Sequence, residues 1–291
     1  MERIDRLGWA DGLSFNAYGT KIGIRTNRPE ILEQIQSHLP PGWKPAPSPI
    51  VERLYSLRAG GPGARPGARQ FHLLYADTAR LVRTMEMDDI LQSFASDVES
   101  YVADAARRRV FVHAGVVGWK GRAIVIPGRS YSGKTSMVAE LVRAGATYYS
   151  DEYAVLDARG RVYPYARPLE IRVSPDGKQQ SFPVESLGGH AGTRPLPVGL
   201  VVVTHFKAGA KWRPQAITSG QGTLALLANT ISARRQPQMV MATLQQVVTE
   251  TRFLKGVRGE ASATAAALLQ YLDGEAGHRL TAFATASPLY P

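Results

Sequence analysis

The 291-residue chain is 44% hydrophobic, enough to build the core of one large or two ordinary domains, and its longest apolar runs fall far short of the roughly 20 residues a membrane helix needs. With no cysteine there is no disulfide framework and no thiolate metal site; the charge-alternating start, Met1 to Arg6, is no secretory signal, so a cytoplasmic protein is the default. A formal charge of +11 invites nucleic acid as partner, but the arginines are scattered, so nucleic-acid binding is not expected; a basic surface equally attracts an acidic peptide or protein.

The first part, 1–85, is expected to be a small α+β domain. Strands are predicted at 14–18, 21–25 and 71–75. Between them Asn27-Arg28-Pro29 opens a helix: Asn27 is placed to cap it, and Ile31, Leu32, Ile35 and Leu39 recur on one face. Residues 57–70 (LRAGGPGARPGARQ) read as a mobile loop. A connecting helix is expected over 86–109, because Leu91, Phe94, Val98, Tyr101 and Val102 fall at helical spacing and the cations Arg107, Arg108 and Arg109 suit its negative end.

The remaining residues, 110–291, form the second expected domain. Two apolar strands, 110–117 and 122–127, lead directly into Gly128-Arg129-Ser130-Tyr131-Ser132-Gly133-Lys134-Thr135, which fits G-x-x-x-x-G-K-[ST] at every fixed position. The buried-strand signature before it and the helix behind it, ending at Gly145, are the context such a loop requires. Glycines let the backbone curl so that its N–H groups converge on phosphate oxygens at a helix N-terminus, with Ser136 in the first turn. Lys134 is placed for the β and γ phosphates, and the Thr135 hydroxyl for magnesium.

The helix from Lys134 to Ala144 runs about 16 Å away from the loop, and a strand at 146–150 of similar reach brings the chain back. In a right-handed strand–helix–strand unit Asp151 and Glu152 therefore arrive beside the phosphates, where carboxylates can serve a magnesium ion and deprotonate a hydroxyl. A solvated turn before a hairpin at 154–165 is the plainer reading of that pair. His113, near the end of a neighbouring strand, is a candidate site residue or a structural histidine. The Gly- and Pro-rich stretch 164–197 contains one short strand, 169–173, and helices are predicted at 221–232, 239–254 and 260–272. Between the first two of these helices lie Arg234 and Arg235, candidates for a charge-stabilising arginine brought to the γ-phosphate, or a solvated connector.

Taken together, His113-Ala114-Gly115, the loop from Gly128 to Thr135, Ala144-Gly145 and Ser150-Asp151-Glu152-Tyr153 resemble the core of the HPr kinase/phosphorylase family and its relatives, among them kinases that modify lasso peptide precursors. The match covers 110–173, and its distinguishing feature is an acidic pair at the end of the very next strand. The resemblance implies an α/β phosphate-loop kinase domain of HPr kinase/PEP carboxykinase-like type, with ATP and Mg2+ as cofactors. It also implies a catalytic base at Asp151 and a metal-supporting Glu152. The sequence departs from the family at Arg129, where an acid is usual, at Tyr131, which replaces a glycine, and at Glu152 in place of Asp; the downstream Arg-Gly-Leu signature is not found, so the resemblance does not extend to HPr as substrate or to the phosphorolytic reverse reaction.

The preferred expectation is an ATP-dependent kinase acting on a hydroxyl, Ser or Thr of a peptide or protein. A small-metabolite kinase and a non-catalytic ATP-sensing regulatory or scaffold protein are the alternatives. A homo-oligomer is compatible with all three.

Overall fold

In the computed structural model, which describes residues 2–61, 70–129, 132–172 and 179–284, the chain is a mixed α/β protein that divides into two compact units, 1–110 and 111–291. No helix among the described residues is long and apolar enough to cross a membrane.

The first unit begins with a single helical turn, α1 (Glu2–Asp5), and continues through β1 (Asp11–Ala17), β2 (Thr20–Thr26), α2 (Leu32–Gln36), β3 (Lys44–Pro45), β4 (Arg53–Arg58), β5 (His72–Ala76), β6 (Ala79–Thr84) and α3 (Met87–Ala105). Its sheet runs β3-β1-β2-β4-β5-β6, with β2 and β4 the parallel pair. The helix expected as a connector, α3, packs on β5 and β6, and its stripe of Leu91, Phe94, Val98 and Val102 is buried. Asn27 does not cap the helix after it. Its side chain instead clamps Ala59, accepting from the backbone N–H at 2.7 Å and donating to the carbonyl at 3.0 Å. The segment expected as a loop at 57–70 begins inside β4, and its residues 62–69 lie outside those described.

The second unit is built on a larger sheet. The hairpin of β7 (Val110–Trp119) and β8 (Arg122–Pro127) feeds the glycine-rich loop, α4 (Lys134–Arg143), and β9 (Thr147–Ser150). Then come β10 (Tyr153–Leu156), β11 (Arg161–Tyr163), the side ribbon β12 (Leu169–Arg172) and β13 (Gln179–Phe182), and β14 (Leu196–Phe206). The chain closes with β15 (Gln215–Ala216), α5 (Ser219–Leu227), α6 (Pro237–Val248), β16 (Arg252–Arg258) and α7 (Ala261–Ala284).

The sheet order is β11-β10-β7-β8-β14-β16-β15, with β9 also paired to β7. β8, β14 and β16 are parallel neighbours, whereas β7 is antiparallel to both β8 and β9. Thus β8 and β9 point the same way with β7 between them, and the crossover helix α4 spans that gap. Side chains alternate across the strands. Ile124, Ile126, Leu200, Val202 and Leu254 pack against α4 and α7 on one face, while Phe253 meets Gly222 of α5 on the other.

Strands β4, β6 and β13 were not expected from the sequence, and two others change the second unit's architecture. β14, the central parallel strand, begins inside the Gly- and Pro-rich stretch 164–197. β16 occupies the end of the helix expected over 239–254, which stops as α6 at Val248.

Candidate functional site

The glycine-rich loop sits at the C-terminal end of β8 and opens α4. Gly128 donates its N–H to the His113 carbonyl at 3.1 Å, tying the loop's first residue to β7. Gly133 has φ of 81°, the left-handed region where a side chain is strained, and it forms the N-cap of α4. A Cβ there would also come within 2.2 Å of the Arg258 guanidinium. Gly115, two residues after His113, lets β7 pass close under α4: an added Cβ would lie 2.6 Å from Val138. Ser130 and Tyr131, expected to line the loop, lie outside the described residues.

Lys134 is 6% exposed, and its ammonium donates to the Arg129 carbonyl at 3.0 Å. Burial draws its pKa down, against the opposing pull of Glu152 and Asp151. It makes no ion pair among the described residues. A buried ammonium at the mouth of a glycine-rich turn carries the charge and the N–H donors that could hold an anion.

The return of the chain through β9 puts Asp151 against the start of α4, as the crossover geometry requires. The Thr135 hydroxyl donates to Asp151 Oδ2 at 2.9 Å, and the Tyr148 hydroxyl lies 2.9 Å from Asp151 Oδ1. Asp151 is 9% exposed; burial raises its pKa, and these two hydrogen bonds offset part of that shift. The acidic pair does form a turn, held by the Ser150 hydroxyl, which accepts from the N–H groups of Glu152 and Tyr153. It is not a solvated one, since its first carboxylate points inward.

Glu152 turns the other way, toward His113, whose Nε2 lies 2.7 Å from Glu152 Oε1. Burial acts to raise the Glu152 pKa, but the bond to His113, the charge of that ring and Lys134 outweigh it and leave the group below its ordinary value. The Glu152 side chain is half exposed, unlike that of Asp151.

Arg258, at the end of β16, is the member of the site that no sequence pattern marks. It is 3% exposed and donates to the Ser132 and Gly133 carbonyls at 3.2 Å each and to the Gly259 carbonyl at 3.1 Å. Burial lowers its pKa, with Glu260 opposing. Its only signal in the sequence is an arginine closing a short apolar strand, too common to single out.

Arg234 and Arg235 follow a 3-10 turn over Ile231–Ala233 and are exposed. That segment starts beside the site, because the Asn229 carbonyl accepts from the His113 N–H at 2.7 Å, but no hydrogen bond or ion pair among the described residues joins the Arg234 guanidinium to the loop. Arg129 is exposed as well. The structure thus gathers His113, Lys134, Thr135, Asp151 and Glu152, and it adds Arg258. No protein-family model matches the chain, and no curated protein matches it.

Proposed function

We propose that this site binds a nucleoside triphosphate, ATP, with magnesium and transfers its γ-phosphoryl group to a hydroxyl of a peptide or protein, on a domain of HPr kinase/PEP carboxykinase-like type. The observation that carries the reading is the 2.9 Å hydrogen bond from Thr135 to Asp151, which joins the loop's hydroxyl to a buried carboxylate one crossover away. Phosphate-loop enzymes hold magnesium with such a hydroxyl and a carboxylate.

The donor set suits that ion. Thr135 and Asp151 supply hard oxygens, and magnesium is ordinarily completed by phosphate and water rather than by a closed protein cage. Bound there, it would neutralise charge on the β and γ phosphates. The protein's own part is positional and electrostatic: the loop N–H groups and Lys134 cradle the phosphates, and Arg258 keeps the loop's carbonyls turned away from them.

Between the two carboxylates the geometry favours a division different from the one the family resemblance implies. Asp151 is committed to Thr135 and Tyr148, whereas Glu152 is half exposed and backed by His113, so the His113–Glu152 pair is the better placed acceptor for a proton from the incoming hydroxyl. Arg234 or Arg235 could reach the transferring group from the neighbouring turn. A non-transferring nucleotide sensor is the second reading, and the buried Lys134 favours it as much as it favours a kinase.

Single-turnover transfer from labelled ATP, read across magnesium concentrations, tests this account. Glu152→Gln should lose about a hundredfold to ten-thousandfold in rate with its magnesium response intact, and Asp151→Asn should shift the magnesium response. A parental rate in both variants would remove the acidic pair from the chemistry. Nucleotide binding by the parent without transfer to any acceptor would give first place to the sensor.

A further inference from the structure

We propose that the rim made by the end of β14 and the loop after it docks an acidic segment of the acceptor peptide or protein; the proposal rests on the kinase reading above. Over 186–249 the chain carries no Asp or Glu, yet it holds Arg194, Lys207, Lys211, Arg213, Arg234 and Arg235. Part of the net charge is therefore gathered in one stretch of chain from which acids are missing.

The fold sets part of this acid-free stretch against the candidate site. β14 runs parallel to β8 with Val201 opposite Val125, so its last residues extend past Gly128 on the same sheet edge. There Phe206 pairs with Arg258, and the Arg258 guanidinium lies 5.3 Å over the Phe206 ring while holding the Ser132 and Gly133 carbonyls. Phe206 remains 46% exposed. The next residue, Lys207, is anchored through its N–H to the Arg258 carbonyl at 2.9 Å, and Trp212 folds back on Gly256, where an added Cβ would lie 2.8 Å from its ring.

This anchored loop presents Lys207, Lys211 and Arg213 to solvent, and none of their side chains has a hydrogen bond or ion pair among the described residues. An isolated surface cation is ordinary. Three of them beside an exposed ring, with no acid in the surrounding stretch of chain, make a basic patch that attracts an acidic chain and offers its apolar residues a ring to pack on. The patch is short, and Glu260 and Glu152 lie on the same edge, which suits a brief acidic segment better than the continuous track of a polynucleotide.

Fluorescence anisotropy on the full chain tests the proposal with three labelled probes: a serine peptide flanked by glutamates, the same peptide flanked by lysines, and oligo-dT. At physiological salt the glutamate peptide should bind best, and Lys207→Glu/Lys211→Glu/Arg213→Glu should weaken it at least about tenfold, with Lys207→Gln/Lys211→Gln/Arg213→Gln between. ATP affinity by calorimetry should stay parental in both triples, which also shows that they fold. Equal binding of glutamate and lysine peptides, or no loss in the charge-reversed triple, would overturn the proposal. So would oligo-dT binding more tightly than the glutamate peptide and being lost in the triple. If the parent fails to bind ATP but still captures the glutamate peptide through these residues, the kinase reading falls and the docking surface stands.

Discussion

Asp151 sits where its ionised form is disfavoured, and that has a measurable consequence. Burial holds its native pKa above the ordinary carboxylate value, so between the unfolded and native values the folded protein takes up a proton. The penalty is absent below the unfolded value, grows as pH rises through that window, and is complete above the native value. Asparagine keeps an acceptor at the position without the charge, and whichever hydroxyl, of Thr135 or Tyr148, faces the amide can turn to accept. Asp151→Asn, free of nucleotide and metal, should therefore melt at or above the parental temperature at pH 7, with the difference closing as the pH approaches 4. Thermal melting at the two pH values checks this, and a variant that melts well below the parent at pH 7 would mean that the carboxylate stabilises the resting fold. Residues such as Lys134, Thr135 and Asp151 were legible in the sequence because the loop's spacing is fixed and one helix and one strand return the chain to its start. The 2.7 Å contact of His113 with Glu152 was legible only as proximity, since which way each side chain of the acidic pair turns depends on the Ser150 hydroxyl.

At the scale of elements, β16 shows why part of the site was hidden. Val240, Leu244 and Val247 set a helical rhythm that Thr251 and Leu254 continue at intervals of four and three, so nothing in the periodicity stops the helix before the strand begins. Tertiary pairing decides instead: the Thr251 hydroxyl, which also meets the Val247 carbonyl, lies 3.0 Å from the Val198 carbonyl, and β16 lies along β14 from Leu200 to Phe206. Without that strand there is no reason to bring Arg258 to a loop more than a hundred residues earlier. Arg258→Ala would take a charged donor from three carbonyls, of which Gly133 keeps the Met137 N–H, and remove a buried cation from beneath the loop. Nucleotide affinity should fall by about tenfold or more, since a charge-assisted hydrogen bond contributes about 1.5–3 kcal/mol. Arg258→Lys, which can reach one carbonyl at most, should recover only part of it. Parental affinity in Arg258→Ala, measured by calorimetry on a variant with a parental melting curve, would show that the loop holds its shape unaided.

At the scale of the whole molecule, the mixed α/β character and a break in the chain near 110 follow from strand and helix signals that sequence carries well, whereas the strand order does not. Parallel neighbours such as β8, β14 and β16 are far apart in sequence, and only burial of their shared faces selects them as partners. The triphosphate and magnesium site proposed in the second unit rests on the buried ammonium of Lys134 and its neighbours. Isothermal titration with ATP, with and without magnesium, on the parent and on Lys134→Ala, tests it most directly. The parent should bind ATP in a magnesium-dependent way, and Lys134→Ala should lose affinity severely. Equal affinity in the two proteins, or no ATP binding by the parent, would contradict it.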